Sequence, residues 1–149
     1  MKKLLFFALI GIAATAFAQD KPIYDEALAK KLGADEHGMK NYVLVILKTG
    51  DKVIDQAQRT EIFAGHMKNI QKMASEGKLA VAGPFGDNSN NYRGLYIFNV
   101  TTIDEAKALA ESDPAVKSGM MKAEYYLWYG TAAMIEVNGI HAKIAKKPF

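Results

Sequence analysis

The chain has 149 residues, with 19 Lys and Arg against 16 Asp and Glu and no cysteine. That length suits one domain with a single core, and the missing cysteine excludes a disulfide framework, a lipid anchor on a lipobox Cys and thiolate catalysis. The formal charge of +3 owes much to Lys2 and Lys3; without them 17 basic side chains face 16 acidic ones, too even a balance to attract nucleic acid or an anionic membrane.

Lys2 and Lys3 open the chain, followed by the apolar run "LLFFALIGIAATAFA" that ends in Ala16, Phe17 and Ala18. A charged start, a short apolar segment and an A-x-A site predict a signal peptide over residues 1–18, cleaved near Ala18. The run is shorter than the roughly 20 residues of a spanning helix. Export to the periplasm or the medium is therefore expected, with no stable membrane insertion after cleavage. Residues 19–39 carry scattered apolar positions, two glycines and many charges, which reads as a mobile arm with room for one short helix.

The packed domain is expected over residues 40–130. It begins at "KNYVLVILK", a continuous apolar run rich in Val, Ile and Tyr that fits a central strand covered on both faces. Asp55, with Gln58 three residues later, predicts the start of a helix that stops at Gly77. Lys78 to Ala82 reads as a second strand and Tyr92 to Val100 as a third, joined by the loop "GPFGDNSNN". Thr102 and Glu105 form a capping box for a second helix. Asp113 and Pro114 set up another short turn, an Asp cap with Pro at the first helical position, ending at Gly119. "MKAEYYLWY" alternates as a fourth strand. Residues 131–149 contain apolar spots and a basic end, and their structure is left open.

The order βαββαβ predicts an α+β fold: a ferredoxin-like split βαβ with an antiparallel sheet, strands one and three central and two helices on one face. The second face of so apolar a sheet needs a cover. A homodimer stacked through the sheet faces is the favoured reading, and a C-terminal tail folded back within one chain is the alternative.

A rough ruler locates a candidate site. Eleven helical residues from Gly77 back to His66 span about 16 Å, and five strand residues from Lys78 to Gly83 span about the same. His66 therefore lies level with the Gly83–Pro84 corner, on the inward face between Ile62 and Ile70. The topology brings the ends carrying Asp87, Arg93 and Asp113 to the same edge, with Arg59 two turns before His66. A histidine paired to a carboxylate suits proton transfer near neutrality, and an arginine suits a substrate's negative group. His66 and Asp87 are the expected acid–base pair, with Asp113 the competing partner, and Arg59, Arg93, Asp113 and Trp128 are candidate contacts for an unknown small molecule. Each has a structural reading too: a core histidine, a loop-capping Asp87, an edge-strand Arg93, an Asp113 that only caps, a packing Trp128.

Other chemistries lack a pattern. His37, His66 and His141 have no metal spacing, and no Walker lysine or G-x-G-x-x-G occurs, so no cofactor is expected.

The stretches "RTEIFAGHMKNIQKMASEGKLAVAGPFGD" and "RGLYIFNVTTIDEAKALAESDPAVKSGMMKAEYYLWYG" resemble the YCII-related family, of the dimeric α+β barrel type. The features that carry the resemblance are Arg59 and His66; Glu76, Gly77, Gly83 and Pro84; and Asp113, Pro114 and Gly119. It implies a ferredoxin-like monomer paired face to face around a pocket with a His, mapped to His66, and an Asp, mapped to Asp87 with Asp113 as competitor. Related barrels include isomerases, lyases and dehydrochlorinases acting on small cyclic or aromatic molecules. The signal peptide, arm and tail depart from the small cytoplasmic pattern of the family. A non-catalytic ligand-binding or structural dimer is the alternative function.

Overall fold

The computed structural model describes residues 23–147; the predicted signal peptide lies outside them. Helix α1 (Glu26–Leu32) is capped by Asp25 and ended by Gly33, so the expected arm contains one short helix, and Lys31 ties it to Glu136 at 3.0 Å. The domain itself runs β1 (Met39–Thr49), α2 (Gln56–Ser75), β2 (Leu79–Pro84), β3 (Tyr92–Phe98), α3 (Ile103–Glu111), α4 (Pro114–Lys117) and β4 (Met121–Thr131). A 3₁₀ turn (Ala132–Glu136) and α5 (Val137–Ile144) follow.

The helix boundaries have the local causes expected of them. Asp55 accepts the Gln58 amide at 2.9 Å, supplying a partner to one of the unpaired donors at the start of α2. The chain leaves α2 through Gly77 at φ +69°, a left-handed conformation that costs glycine little. Thr102 caps α3, and Asp113 caps α4 with Pro114 in its first turn.

The sheet order is β2-β3-β1-β4, with every pairing antiparallel. This is the ferredoxin-like arrangement, with β1 and β3 central. On one face Val43, Val45, Leu47, Leu79, Tyr96 and Phe98 pack with Met73 of α2 and Ala106 and Ala110 of α3. Each large side chain fully buried here contributes roughly 1.5–3 kcal/mol relative to exposure.

The other face is divided. Tyr42, Ala80 and Ile97 are buried beneath Trp128, Met134 and Ile135. The C-terminal segment thus folds back within its own chain and covers this end, held by Ala132 N–H to Gly38 O at 2.9 Å and Asn138 Nδ2 to Leu79 O at 2.7 Å. Further along, Leu44, Ile46 and Leu95 are only half-buried, and Tyr126, paired with Leu44, is 49% exposed. The tail is therefore a partial cover, and the remaining apolar half of the face is open.

Candidate functional site

The site lies where α2 meets α4. His66 is at the middle of α2, 6% exposed, and its ring is 6.2 Å from that of Tyr96 on β3. Tyr96 pairs with Ala82 across the sheet, so His66 does sit nearly level with the Gly83 corner. Laterally, however, α2 packs on α4: a Cβ on Gly65 would come within 3.0 Å of Pro114 Cγ. The bare backbone at Gly65 permits this close approach, which brings the residue before Pro114 against the next position of the helix.

That residue is Asp113, which is fully buried. His66 Nδ1 lies 2.9 Å from both Asp113 oxygens. Tyr96 Oη donates to Oδ2 at 2.9 Å, Asn69 Nδ2 to the same oxygen at 3.4 Å, and the Ala115 amide to Oδ1 at 2.8 Å. A buried carboxylate is costly unless its lone pairs are satisfied, and here four residues satisfy them. Burial alone pushes the Asp113 carboxyl up, but the hydrogen bond and charge of His66, the Ala115 amide and the Tyr96 hydroxyl outweigh it and hold the group below the usual carboxylate range. Burial, and then the charge and hydrogen bond of Asp113, keep the Tyr96 phenol protonated well above its ordinary range.

An ionised Asp113 only accepts, so His66 Nδ1 carries the proton between them. In the neutral ring Nε2 then holds the lone pair. Nε2 makes no hydrogen bond among the described residues, yet no buried side-chain nitrogen or oxygen there lacks a partner. Nε2 is therefore not completely sealed from solvent. The arrangement is a base whose inner nitrogen is fixed by a carboxylate and whose outer nitrogen is free to take a proton.

The other predicted residues are distributed differently. Asp87 is exposed in the loop after β2 and makes no bond to His66; the expected His66–Asp87 pair is corrected to His66–Asp113. Asp87 does not hold the loop either. Asn88 does so, donating to Gly86 O and Tyr92 O at 2.8 and 2.9 Å and accepting the Asn90 and Tyr92 amides. Trp128 stands on the opposite sheet face, its ring 5.8 Å from that of Tyr42 and over Gly130, so it packs beneath the tail and is remote from His66. Arg59 and Arg93 line one cleft of about 520 Å³ with Phe63, whose ring is 5.6 Å from the His66 ring.

Tyr96 and Asn69 are the partners that the sequence reading missed. Each carried a usable signal: a core-facing tyrosine needs a partner for its hydroxyl, and Asn69 is three residues after His66, on the same side of the helix. Among the described residues no group of three or more His, Asp and Glu is placed to hold a metal ion, and no helix is long and apolar enough to cross a membrane.

A ferredoxin-like α+β domain with a buried histidine–aspartate pair between its helices is the class of protein that the fold and site define. The YCII-related domain matches residues 41–128, more than half of the chain, and the protein belongs to that family. It is 26% identical over 90 residues to the uncharacterized protein YjpA of Bacillus subtilis (strain 168), covering 60% of this chain and 95% of that one. Among solved structures it is similar to the 5-chloro-2-hydroxyhydroquinone dehydrochlorinase TftG of Burkholderia phenoliruptrix AC1100, in complex with 2,5-dihydroxybenzoquinone. That likeness has a TM-score of 0.40 and 21% identity over 57% of this chain and 92% of the other.

Proposed function

We propose that this protein is an exported YCII-family enzyme in which His66 Nε2 moves a proton to or from a small organic molecule, in a lyase- or isomerase-type step. The observation that carries the reading is the saturation of Asp113: four residues hold one buried carboxylate, which favours one His66 tautomer and leaves Nε2 as the ring nitrogen with no hydrogen bond among the described residues. Asp113 acts as a positioning residue and as the counter-charge when Nε2 takes a proton; Tyr96 and Asn69 hold Asp113.

The test is proton exchange. Wild type, His66→Gln and Asp113→Asn are incubated in D₂O with ring ketones and hydroxylated aromatics, and deuterium uptake is followed by NMR. The reading expects catalysed uptake that falls about 10²–10⁴-fold in His66→Gln. Binding of these compounds without catalysed exchange supports the rival reading, a ligand-binding protein.

Two further parts belong to the same proposal. The apolar half-face of Leu44, Ile46, Leu95 and Tyr126 is covered by a second copy of the chain, and sedimentation should give a homodimer that Leu44→Glu with Ile46→Glu dissociates. The N-terminal segment directs export, and exported protein should begin at Gln19.

A further inference from the structure

β3 contains an irregularity that serves neither the core nor the His66–Asp113 pair. Its register against β1 runs regularly to Leu47 opposite Gly94, then jumps so that Lys48 faces Tyr92, leaving Arg93 as the extra residue. Tyr96 and Phe98 point toward the helices, so strict alternation would put Arg93 on the open face with Leu95. The bulge reverses that assignment. Tyr92 joins the open-face side chain of Lys48, whose Nζ lies 5.7 Å from the Tyr92 ring centre. Arg93 instead turns to Thr49, donating from Nε to Oγ1 at 2.7 Å. Bulges re-aim side chains in this way and recur beside functional sites.

Arg93 and Thr49 stand between two clefts: one of about 540 Å³ shared with Lys48, Lys122 and Glu124, whose charges are already paired, and the 520 Å³ cleft on the side of α2; the second is the candidate. The cations of this 520 Å³ cleft are Lys52, Arg59 and Arg93, no carboxylate lines it, and its apolar surface is Phe63, Met120 and Met121. None of the three cations forms an ion pair among the described residues, whereas the neighbouring Lys48 and Lys122 are paired with Glu124 and Asp51. With Nε fixed on Thr49, the two terminal nitrogens of Arg93 remain for a planar anion, which a guanidinium grips in bidentate fashion. Phe63 connects the cleft to the candidate base, its ring adjoining that of His66.

We infer that the bulge at Arg93 builds an anion subsite beside His66, and that its ligand is an aromatic or cyclic carboxylate: the carboxylate on Arg93, with Arg59 and Lys52 adding charge, and the ring against Phe63, Met120 and Met121. This names the substrate class for the proposed proton-transfer site and rests on that reading only for what happens after binding.

The test compares 2-hydroxybenzoate with its neutral analogue 2-hydroxybenzamide by calorimetric or NMR titration, at low and high salt. Wild type binds the acid about tenfold or more tightly than the amide, the scale of one charge-assisted hydrogen bond. Added salt reduces the difference. Arg93→Gln abolishes it, Arg93→Lys retains part of it, and His66→Gln leaves it in place. Equal affinity for acid and amide, no saturable binding of either, or an acid preference that survives Arg93→Gln would overturn the inference. Thermal melts of the exposed Arg93 variants within a few degrees of wild type exclude misfolding as the cause. Failure of His66-dependent exchange with the acid preference intact sinks the catalytic reading and leaves the subsite standing; the converse result does the reverse.

Discussion

Two corners of the molecule each present an aspartate at the end of the sheet where His66 lies, and they use it in opposite ways. At the junction of α2 and α4, Asp113 is fully buried, accepts from His66, Asn69, Tyr96 and Ala115, and caps α4 as it does so. At the turn between β2 and β3, Asp87 stands in water while Asn88 makes the four hydrogen bonds that shape the loop. The difference shows what turns a carboxylate into chemical machinery. Burial supplies the energetic demand, convergent donors meet it, and the ionised group then controls its neighbour's tautomer; an exposed carboxylate, solvated by water, controls nothing beyond itself.

The widest separation between the corners is expected from truncation. Asp113→Ala removes a helix cap and strips the partners from His66 and Tyr96, which should cost about 3–5 kcal/mol, the scale of breaking a buried pair. Urea denaturation would measure it, and a cost below about 1 kcal/mol would put the two aspartates on a par. Trp128→Ala should cost about 3 kcal/mol, the low end for a buried aromatic because the ring is half-buried. It should leave the His66 NMR signals in place, since Trp128 packs on the other face; movement of those signals would join the two regions.

Much of the fold was legible from short-range signals, and the site only in part. Asp55, Gly77, Thr102 and the Asp113–Pro114 pair mark helix ends because capping is local, and the rise of a helix against that of a strand placed His66 at the right level. The partner of His66 depended on which way α2 leans, and that is decided by Gly65 admitting Pro114, a contact 49 residues apart in sequence. The bulge that redirects Arg93 was hidden for a similar reason: register is a property of two strands, and "NYRGLYIF" alone shows only alternation. The tail's path across Tyr42 and Ile97 was undecided because its apolar spots fit neither period cleanly.

A gentler perturbation is Tyr96→Phe, which removes one donor from Asp113 and leaves the ring packing, at about 1–2 kcal/mol. The same donor helps keep the Asp113 carboxyl low, so pH sharpens the comparison. A carboxyl held below its unfolded value of about 3.8 contributes stability that is complete above that value and is lost as pH falls through the folded one. Urea midpoints from pH 7 to pH 2 should therefore fall more steeply for wild type than for Asp113→Asn, with Tyr96→Phe between them. Identical acid limbs would show that Asp113 contributes no such term. The smallest effect is expected at the other corner: Asp87→Ala should stay within about 0.5 kcal/mol, while Asn88→Ala costs about 1 kcal/mol through its lost loop bonds.

The most direct test is the tautomer of the His66 ring, read by long-range ¹H–¹⁵N correlation in wild type, Asp87→Asn and Asp113→Asn. At a pH where the ring is neutral, the proton should sit on Nδ1 with Nε2 unprotonated in wild type and Asp87→Asn, and that fixed tautomer should be lost in Asp113→Asn. A proton on Nε2 in the wild-type neutral ring, or a tautomer that responds to Asp87 and not to Asp113, would contradict it.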